Sequence, residues 1–268
     1  MGLSVRKRGT GEPLLMIHGI ISDGSFFDEA ADCLEKDFTV ITYDRRGYGT
    51  SEEGKDPADY TVGAQAEDAA GVLKEYAGEK AWIFGNSAGG LIGVELALRH
   101  PELVKGLILL EPSLIFDEES KAMMAAWNGE LNGYVREKKI RQAMPAFSRM
   151  IEADSPSREK APQKSMTMAQ IRMAYHNLDN FMYGELNEVQ TYFPDLETVR
   201  GIGVPACILV SRDGAGSMFA RTSKAGAAHL GWPVETVPGN HNAAKEESSA
   251  LAGKVREIVA GWGENHEK

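Results

Sequence analysis

Ala81-Trp82-Ile83-Phe84-Gly85-Asn86-Ser87-Ala88-Gly89 is the stretch from which the rest of this chain can be read. Ala81 to Phe84 is a short apolar run with the aromatic and β-branched content of a buried strand. Leu91 to His100 has helical spacing and stops at Pro101, a residue that cannot continue a helix. Between them stands Gly-x-Ser-x-Gly. At a strand-to-helix junction this pattern lifts a serine onto a sharp turn, with its hydroxyl clear of the backbone. The glycines have a steric reason, because strand and helix crowd the turn and a side chain at Gly85 or Gly89 would collide. Ser87 is therefore a candidate nucleophile of a hydrolase. The same pattern arises by chance in Gly/Ser-rich loops, and it is the strand before and the helix after that favour the catalytic reading.

Outward from this turn, strand and helix signals alternate. Leu14 to Ile17 is a short apolar run that stops at His18-Gly19, and Phe38 to Tyr43 is β-rich and ends at Asp44. Phe26 to Leu34 and Val62 to Tyr76 have helical spacing, and Leu107 to Leu110 is a further strand that ends at Glu111. Apolar strands between amphipathic helices predict an α/β fold with a mostly parallel sheet covered on both faces. Ligands bind outside the carboxyl ends of such strands, where His18-Gly19, Asp44, Ser87 and Glu111 fall. From Pro112 to about Asp195 the strand signals vanish. The region reads as several helices, with breaks expected near Asn132-Gly133, Ser155-Pro156-Ser157 and Pro194. It is Met-rich (Met123, Met124, Met144, Met150, Met166, Met168, Met173 and Met182), and these side chains suit either helix core or a wall for varied apolar ligands. The alternation resumes with Ala206 to Val210, a helix from about Ser217 to Leu230, Val234 to Val237, the loop Pro238-Gly239-Asn240-His241, and a closing helix from Ala243 to about Ala260.

The chain of 268 residues is large enough for one substantial core, or for one core plus a small appended unit. Its 39 acidic and 29 basic residues give a formal charge of −10, which argues against nucleic acid as a partner. Neither a signal peptide nor a membrane span is visible, so no membrane association is expected. Cys33 and Cys207 both stand in apolar contexts, as free thiols in a reducing cytoplasm would. The histidines lack ligand spacing and no Gly-x-Gly-x-x-Gly follows a strand, so neither a metal nor a nucleotide cofactor is implied.

Taken together, His18-Gly19, the stretch Asp44-Arg45-Arg46-Gly47-Tyr48-Gly49-Thr50-Ser51, the serine turn and Pro238-Gly239-Asn240-His241 make the chain resemble the α/β-hydrolase superfamily over nearly its whole length. The resemblance implies an α/β-hydrolase core in residues 1–111 and 197–268. It also implies a helical cap in residues 112–196, inserted between the sixth and seventh of the usual eight strands. Only Leu3 to Arg8 precedes Leu14, so the first of those eight is missing or very short.

The resemblance also distributes roles. His241, on the loop after the last strand, is the expected base for Ser87. His18, His100, His229 and His266 read as structural or surface residues, and His176, in the cap, as a surface residue or a substrate contact. The acid that orients the base has two rival candidates, Asp213 and Glu111. Asp213 follows the Ala206–Val210 strand near the usual position, though in Ser211-Arg212-Asp213-Gly214 it comes one residue early against the common Gly-x-x-Asp. Glu111 ends the strand after the serine, where some members keep their acid; the balance leans slightly to Asp213. Backbone N–H groups of Ile20 and Ala88 are the expected oxyanion donors, and Asp44 and Arg46 brace their loop. Candidates for the wall of the substrate site are Phe26, Phe27, Trp127, Tyr175 and Tyr183, each of them equally a candidate for core.

The expected activity is that of a serine hydrolase on an ester, thioester or similar acyl bond of a small, partly apolar molecule. A carbon–carbon bond hydrolase, a lactonase or a cofactor-free perhydrolase would use the same residues. An aminopeptidase would need an acidic group in the cap, and among Glu130, Glu152 and Glu185 nothing in the sequence singles one out. A reading of another class is a hydrolase-fold protein that binds a small molecule with little turnover. A binder of that kind often lacks the serine or the histidine, and both are present here.

Overall fold

The computed structural model of the chain describes residues 2–152 and 166–266. Within them seven strands form one sheet: β1 (Val5–Arg8), β2 (Glu12–Ile17), β3 (Phe38–Tyr43), β4 (Ala81–Asn86), β5 (Val104–Leu110), β6 (Ala206–Ser211) and β7 (Val234–Val237), in the order β1-β3-β2-β4-β5-β6-β7. Every neighbouring pair is parallel except β1 with β3. The order reverses beside β2, which has β3 on one side and β4 on the other, and a reversal of this kind opens a crevice at the carboxyl ends of the strands.

Alternation along each strand divides the core in two. Leu15, Ile17, Ile83, Leu107 and Leu109 face one side, while Leu14, Met16, Phe84, Ile108 and Leu110 face the other. The second face is covered by α1 (Asp28–Leu34), through Ala30 and Leu34. The first face is covered by α2 (Val62–Tyr76) and α3 (Ala88–Arg99). Because both faces are covered, the central strands read as unbroken apolar runs rather than alternating ones.

Between β5 and β6 the chain leaves the sheet for α4 (Glu118–Arg136), α5 (Ala143–Glu152), α6 (Met168–Asn180), α7 (Leu186–Thr191) and α8 (Leu196–Arg200). A π-helical turn, Phe181–Glu185, joins α6 to α7. These helices build a third apolar cluster of their own around Leu131, Phe147, Leu178 and Phe181, seated on Tyr48 and against Ile20 and Ile21. In this chain the insert lies between the fifth and sixth strands; they are the sixth and seventh of eight if the absent strand is the first. The break expected at Asn132-Gly133 does not occur, because α4 runs through both residues and Asn132 Nδ2 bonds the Asn128 carbonyl at 3.1 Å one turn back. The break expected at Ser155-Pro156-Ser157 lies outside the described residues. After β6 come α9 (Met218–Leu230), then past β7 the short α10 (Ala243–Glu246) and α11 (Ser248–His266), whose Leu251 and Val255 complete the second face. The closing helix is thus two, parted at Glu247.

The serine turn is the tightest packing point of the sheet. A methyl group at Gly85 would sit 2.6 Å from the Gly89 carbonyl and from the Gly90 Cα, and one at Gly89 would overlap the Ile17 carbonyl of β2. Gly89→Ala is therefore expected to lower stability by about 1–3 kcal/mol or more, because backbone cannot move aside as a side chain can. Gly71→Ala, on α2 where nothing lies within 4 Å, should raise stability by roughly 0.5–1 kcal/mol. Urea midpoints of the two variants check the pair, and equal midpoints would contradict the steric account.

Candidate active site

Four of the described non-glycine residues have positive φ, and three of them meet at the carboxyl ends of β2, β4 and β5: Ile21 at 54°, Ser87 at 55° and Glu111 at 44°. Backbone of this kind costs on the order of 1–3 kcal/mol per residue and persists only where its surroundings impose it. At Ser87 the restraints are explicit. Its N–H donates to the Leu110 carbonyl at 2.9 Å, and its own carbonyl accepts from the Gly90 N–H at 2.9 Å. The turn ends at Ala88, the first residue of α3, whose N–H belongs to the set that a helix cannot satisfy internally. Ser87 is 7% exposed, and that exposure opens onto a cavity of about 410 Å³.

His241 reaches the same cavity from the loop after β7. Its Nδ1 lies 2.7 Å from Glu111 Oε2. The other carboxylate oxygen of Glu111 accepts from the Ser211 N–H at 2.8 Å and from the Ser211 hydroxyl at 2.5 Å. Burial alone would push the Glu111 carboxyl up. The hydrogen bond and charge of His241 and the two Ser211 donors outweigh it, and hold Glu111 below the ordinary carboxylate value. An ionised carboxylate only accepts, so the shared proton belongs to Nδ1, and Nε2 is the ring nitrogen that carries the lone pair when the imidazole is neutral. One face of the ring is covered by Phe219 in the first turn of α9, stacked with centroids 3.8 Å apart and planes at 15°.

The slight lean toward Asp213 is not what the geometry favours: the carboxylate bonded to the imidazole is that of Glu111. Coming one residue early after β6, Asp213 meets the backbone of the His241 loop, where its Oδ2 accepts from the Gly239 N–H at 3.1 Å and its own N–H donates to the Gly239 carbonyl at 2.9 Å. Its Oδ1 lies 3.2 Å from Arg212 Nε.

The His18-Gly19-Ile20 turn packs directly on the serine. A methyl group at Gly19 would stand 3.1 Å from Ser87 Cβ and 3.3 Å from the Asn86 carbonyl, closer than an ordinary contact, so a side chain there would press on the serine turn. Of the predicted wall, Phe26 lines the cavity. Phe27 does not. It turns into the core, edge-on to Phe84 with centroids 5.8 Å apart. Trp127 stands behind the wall, edge-on to Phe147 and Phe219. Tyr175 carries the Arg141 guanidinium over its ring at 4.1 Å, and Tyr183 is 67% exposed on a separate outer cleft with His176. The insert presents Met144 and Phe147 to the cavity instead. Of the methionine stripe, Met144 thus faces the site, Met124 and Met182 are buried and Met166 and Met168 are exposed. Phe219, Asn242, Lys245 and Glu246 also line the cavity and were not singled out in the sequence; all four lie in the loops and first helical turns that follow β6 and β7, and that position past a strand end is the signal that would have found them.

Comparison with known proteins gives a consistent picture. A family model described as "alpha/beta hydrolase fold" matches residues 12–191. An uncharacterized hydrolase of Bacillus subtilis, YraK, is 38% identical over 108 residues, 40% of each chain. The 2-(acetamidomethylene)succinate hydrolase of Mesorhizobium japonicum is 33% identical over 109 residues, 41% of this chain and 38% of its own. The chain thus aligns with about two fifths of the length of these curated relatives. The crystal structure of a hydrolase from Pseudomonas aeruginosa superposes with a TM-score of 0.74 over 96% of this chain and 94% of its own, at 21% identity, a likeness of fold.

A pH-dependent stability follows from Glu111. Its folded pKa lies below the ordinary value of 4.5, so the folded protein binds this proton less readily than the unfolded chain. The stability Glu111 supplies is present above that ordinary value and is lost as pH falls through the folded pKa. The difference in unfolding free energy between wild type and Glu111→Gln should therefore grow in favour of wild type as pH rises through the carboxylate range. Urea titrations at several pH values check this, and a difference independent of pH would contradict it.

Proposed function

From the premise that the chain belongs to the alpha/beta hydrolase fold family, we propose that it is a serine hydrolase that cleaves an ester, thioester or related acyl bond of a small, partly apolar substrate. The observation that carries the reading is the 2.7 Å contact between His241 Nδ1 and Glu111 Oε2, with Ser87 and the same imidazole facing one cavity. Serine is a poor nucleophile until a neighbour takes its proton, and an imidazole with a free Nε2 lone pair is suited to do so.

In this reading His241 Nε2 accepts the Ser87 proton as Oγ adds to the substrate carbonyl. The imidazolium that forms is stabilised by the Glu111 carboxylate, which keeps the Nδ1 proton in its hydrogen bond. The negative oxygen of the tetrahedral intermediate is received by the N–H groups of Ile20 and Ala88. Collapse breaks the bond to the leaving group, which takes its proton from His241 and departs, leaving acyl-Ser87. Water then adds to the acyl carbonyl with His241 again as base, and release of the acid restores the serine.

The α4 to α7 helices act as a lid over the strand ends, within a cap of residues 112–196 and a core of 1–111 and 197–268. Met144 and Phe147, reaching the cavity from the insert, support this. Walls of Ile20, Phe26, Phe147 and Phe219 with Lys245 and Glu246 nearby suit a substrate that is apolar at one end and polar at the other. The two free thiols, Cys33 and Cys207, fit a reducing cytoplasm. Carbon–carbon hydrolysis, lactone opening and perhydrolysis use the same groups and differ in what the lid admits.

Intact-protein mass after treatment with a fluorophosphonate tests the reading without a known substrate. One adduct mapped to Ser87, absent from Ser87→Ala, is expected. A folded protein that takes up no adduct would overturn the assignment and favour a fold used for binding alone. On whichever ester the protein turns over, Glu111→Gln should lose about 10⁴ in turnover, as orienting carboxylates do, while Asp213→Asn should lose far less. The reverse order would make Asp213 the acid.

A further inference from the structure

The peptide between Gly19 and Ile20 carries the candidate oxyanion donor at one end and its carbonyl at the other, and that carbonyl is gripped from two sides. It lies 2.8 Å from His18 Nδ1 and 2.9 Å from Arg45 Nη2. His18 donates there because its Nε2 accepts the Arg45 backbone N–H at 3.0 Å, which fixes the tautomer of the ring. The ring is neutral: burial first, then the charge of Arg45, push its pKa down to about 3.

Arg45 is in turn held by the insert. Its guanidinium is 1% exposed and lies 4.6 Å from the centre of the Tyr48 ring. Nη1 donates to Glu185 Oε1 at 2.5 Å and Nη2 to Glu185 Oε2 at 3.2 Å, and Nη1 also donates to Gln65. Glu185 is fully buried, and it also takes the Gln65 amide at 2.8 Å and the Tyr48 hydroxyl. It closes the π-helical turn Phe181–Glu185, an irregularity of the kind that often marks a functional position in a helix. A buried ion pair adds little net stability, and apolar side chains would seat the insert as well. What this pair supplies is direction: it fixes a guanidinium against one chosen carbonyl.

We propose that Glu185 is a positioning residue for the oxyanion site, holding Arg45 against the Gly19 carbonyl so that the Ile20 N–H is aimed and strengthened as a donor. A donor bonded to the carbonyl of a peptide polarises the whole unit and makes its N–H a better donor in turn. Seating of the insert over the strand ends is thereby coupled to the place where charge develops on the substrate. The inference rests on the serine-hydrolase reading.

Glu185→Gln keeps the shape and removes the charge. With a small ester as substrate, kcat should fall roughly 10- to 100-fold, short of the 10²–10³ for outright loss of a donor, while KM changes little. Affinity for a trifluoromethyl ketone, whose adduct with Ser87 carries an oxyanion, should fall by the same factor. Affinity for a neutral amide of the same size, which carries none, should hold. Wild-type kcat and ketone affinity in folded Glu185→Gln would overturn the proposal. Equal losses for ketone and amide would overturn it too, because a merely loosened pocket gives that result. Should Glu185→Gln fail to fold, Tyr48→Phe removes only the hydroxyl on the same carboxylate. It should show the same split at a fewfold scale, and wild-type constants there would overturn the proposal equally. Wild-type protein that takes up neither fluorophosphonate nor ketone would instead overturn the serine-hydrolase reading.

Discussion

A serine held at φ 55° between β4 and α3 is the constraint on which the rest of the structure depends. That backbone is unfavourable for an isolated residue, and it stays in place because the turn is built into the middle of the sheet. Leu110 of β5 takes the Ser87 N–H, and the Ile17 carbonyl of β2 leaves no room beside Gly89. The neighbouring strands carry the other two strained residues of the site, Ile21 beyond β2 and Glu111 at the end of β5. Strain is thus concentrated where side chains must leave their strands at unusual angles to converge, and two apolar layers on either side of the sheet absorb its cost.

Convergence alone does not make a site. The imidazole of His241 is fixed in tautomer by Glu111 and in plane by Phe219. Glu111 is itself held by both donors of Ser211, and Asp213 ties down the loop through Gly239. The insert contributes walls to the cavity through Met144 and Phe147. It also buries a charged pair, Glu185 with Arg45, that reaches back to the Gly19 carbonyl. Polar groups placed this deep specify an arrangement more than they stabilise it.

Much of the fold was legible in the sequence because its determinants are local. Buried strands read as apolar runs, and the serine turn, the His18-Gly19 turn and the His241 loop announce themselves by residues whose geometry few others can adopt. Asn132-Gly133 misled for an equally local reason. Gly costs a helix only about 1 kcal/mol against Ala, which the packing of α4 on α7 overrides. The carboxylate that meets the His241 ring was legible only as a choice of two, since Glu111 and Asp213 both follow the end of a strand and only tertiary register decides which reaches the ring. The cavity wall was least legible. Phe26 and Phe27 are adjacent, yet one faces the cavity and the other the core, and Tyr175 and Tyr183 follow helix faces that the sequence did not orient. Glu185 was visible as a cap carboxylate, but its partner stands far away in the chain.

Ser87 shares its cavity with an imidazole whose Nδ1 faces the Glu111 carboxylate, which calls for the proton on that nitrogen. Nitrogen-15 NMR of the histidine side chains measures this directly, without a substrate. The account predicts that neutral His241 carries its proton on Nδ1, with Nε2 unprotonated, and that Glu111→Gln shifts this signal while Asp213→Asn leaves it nearly in place. A His241 signal with the proton on Nε2, or one that responds to Asp213→Asn and not to Glu111→Gln, would contradict it.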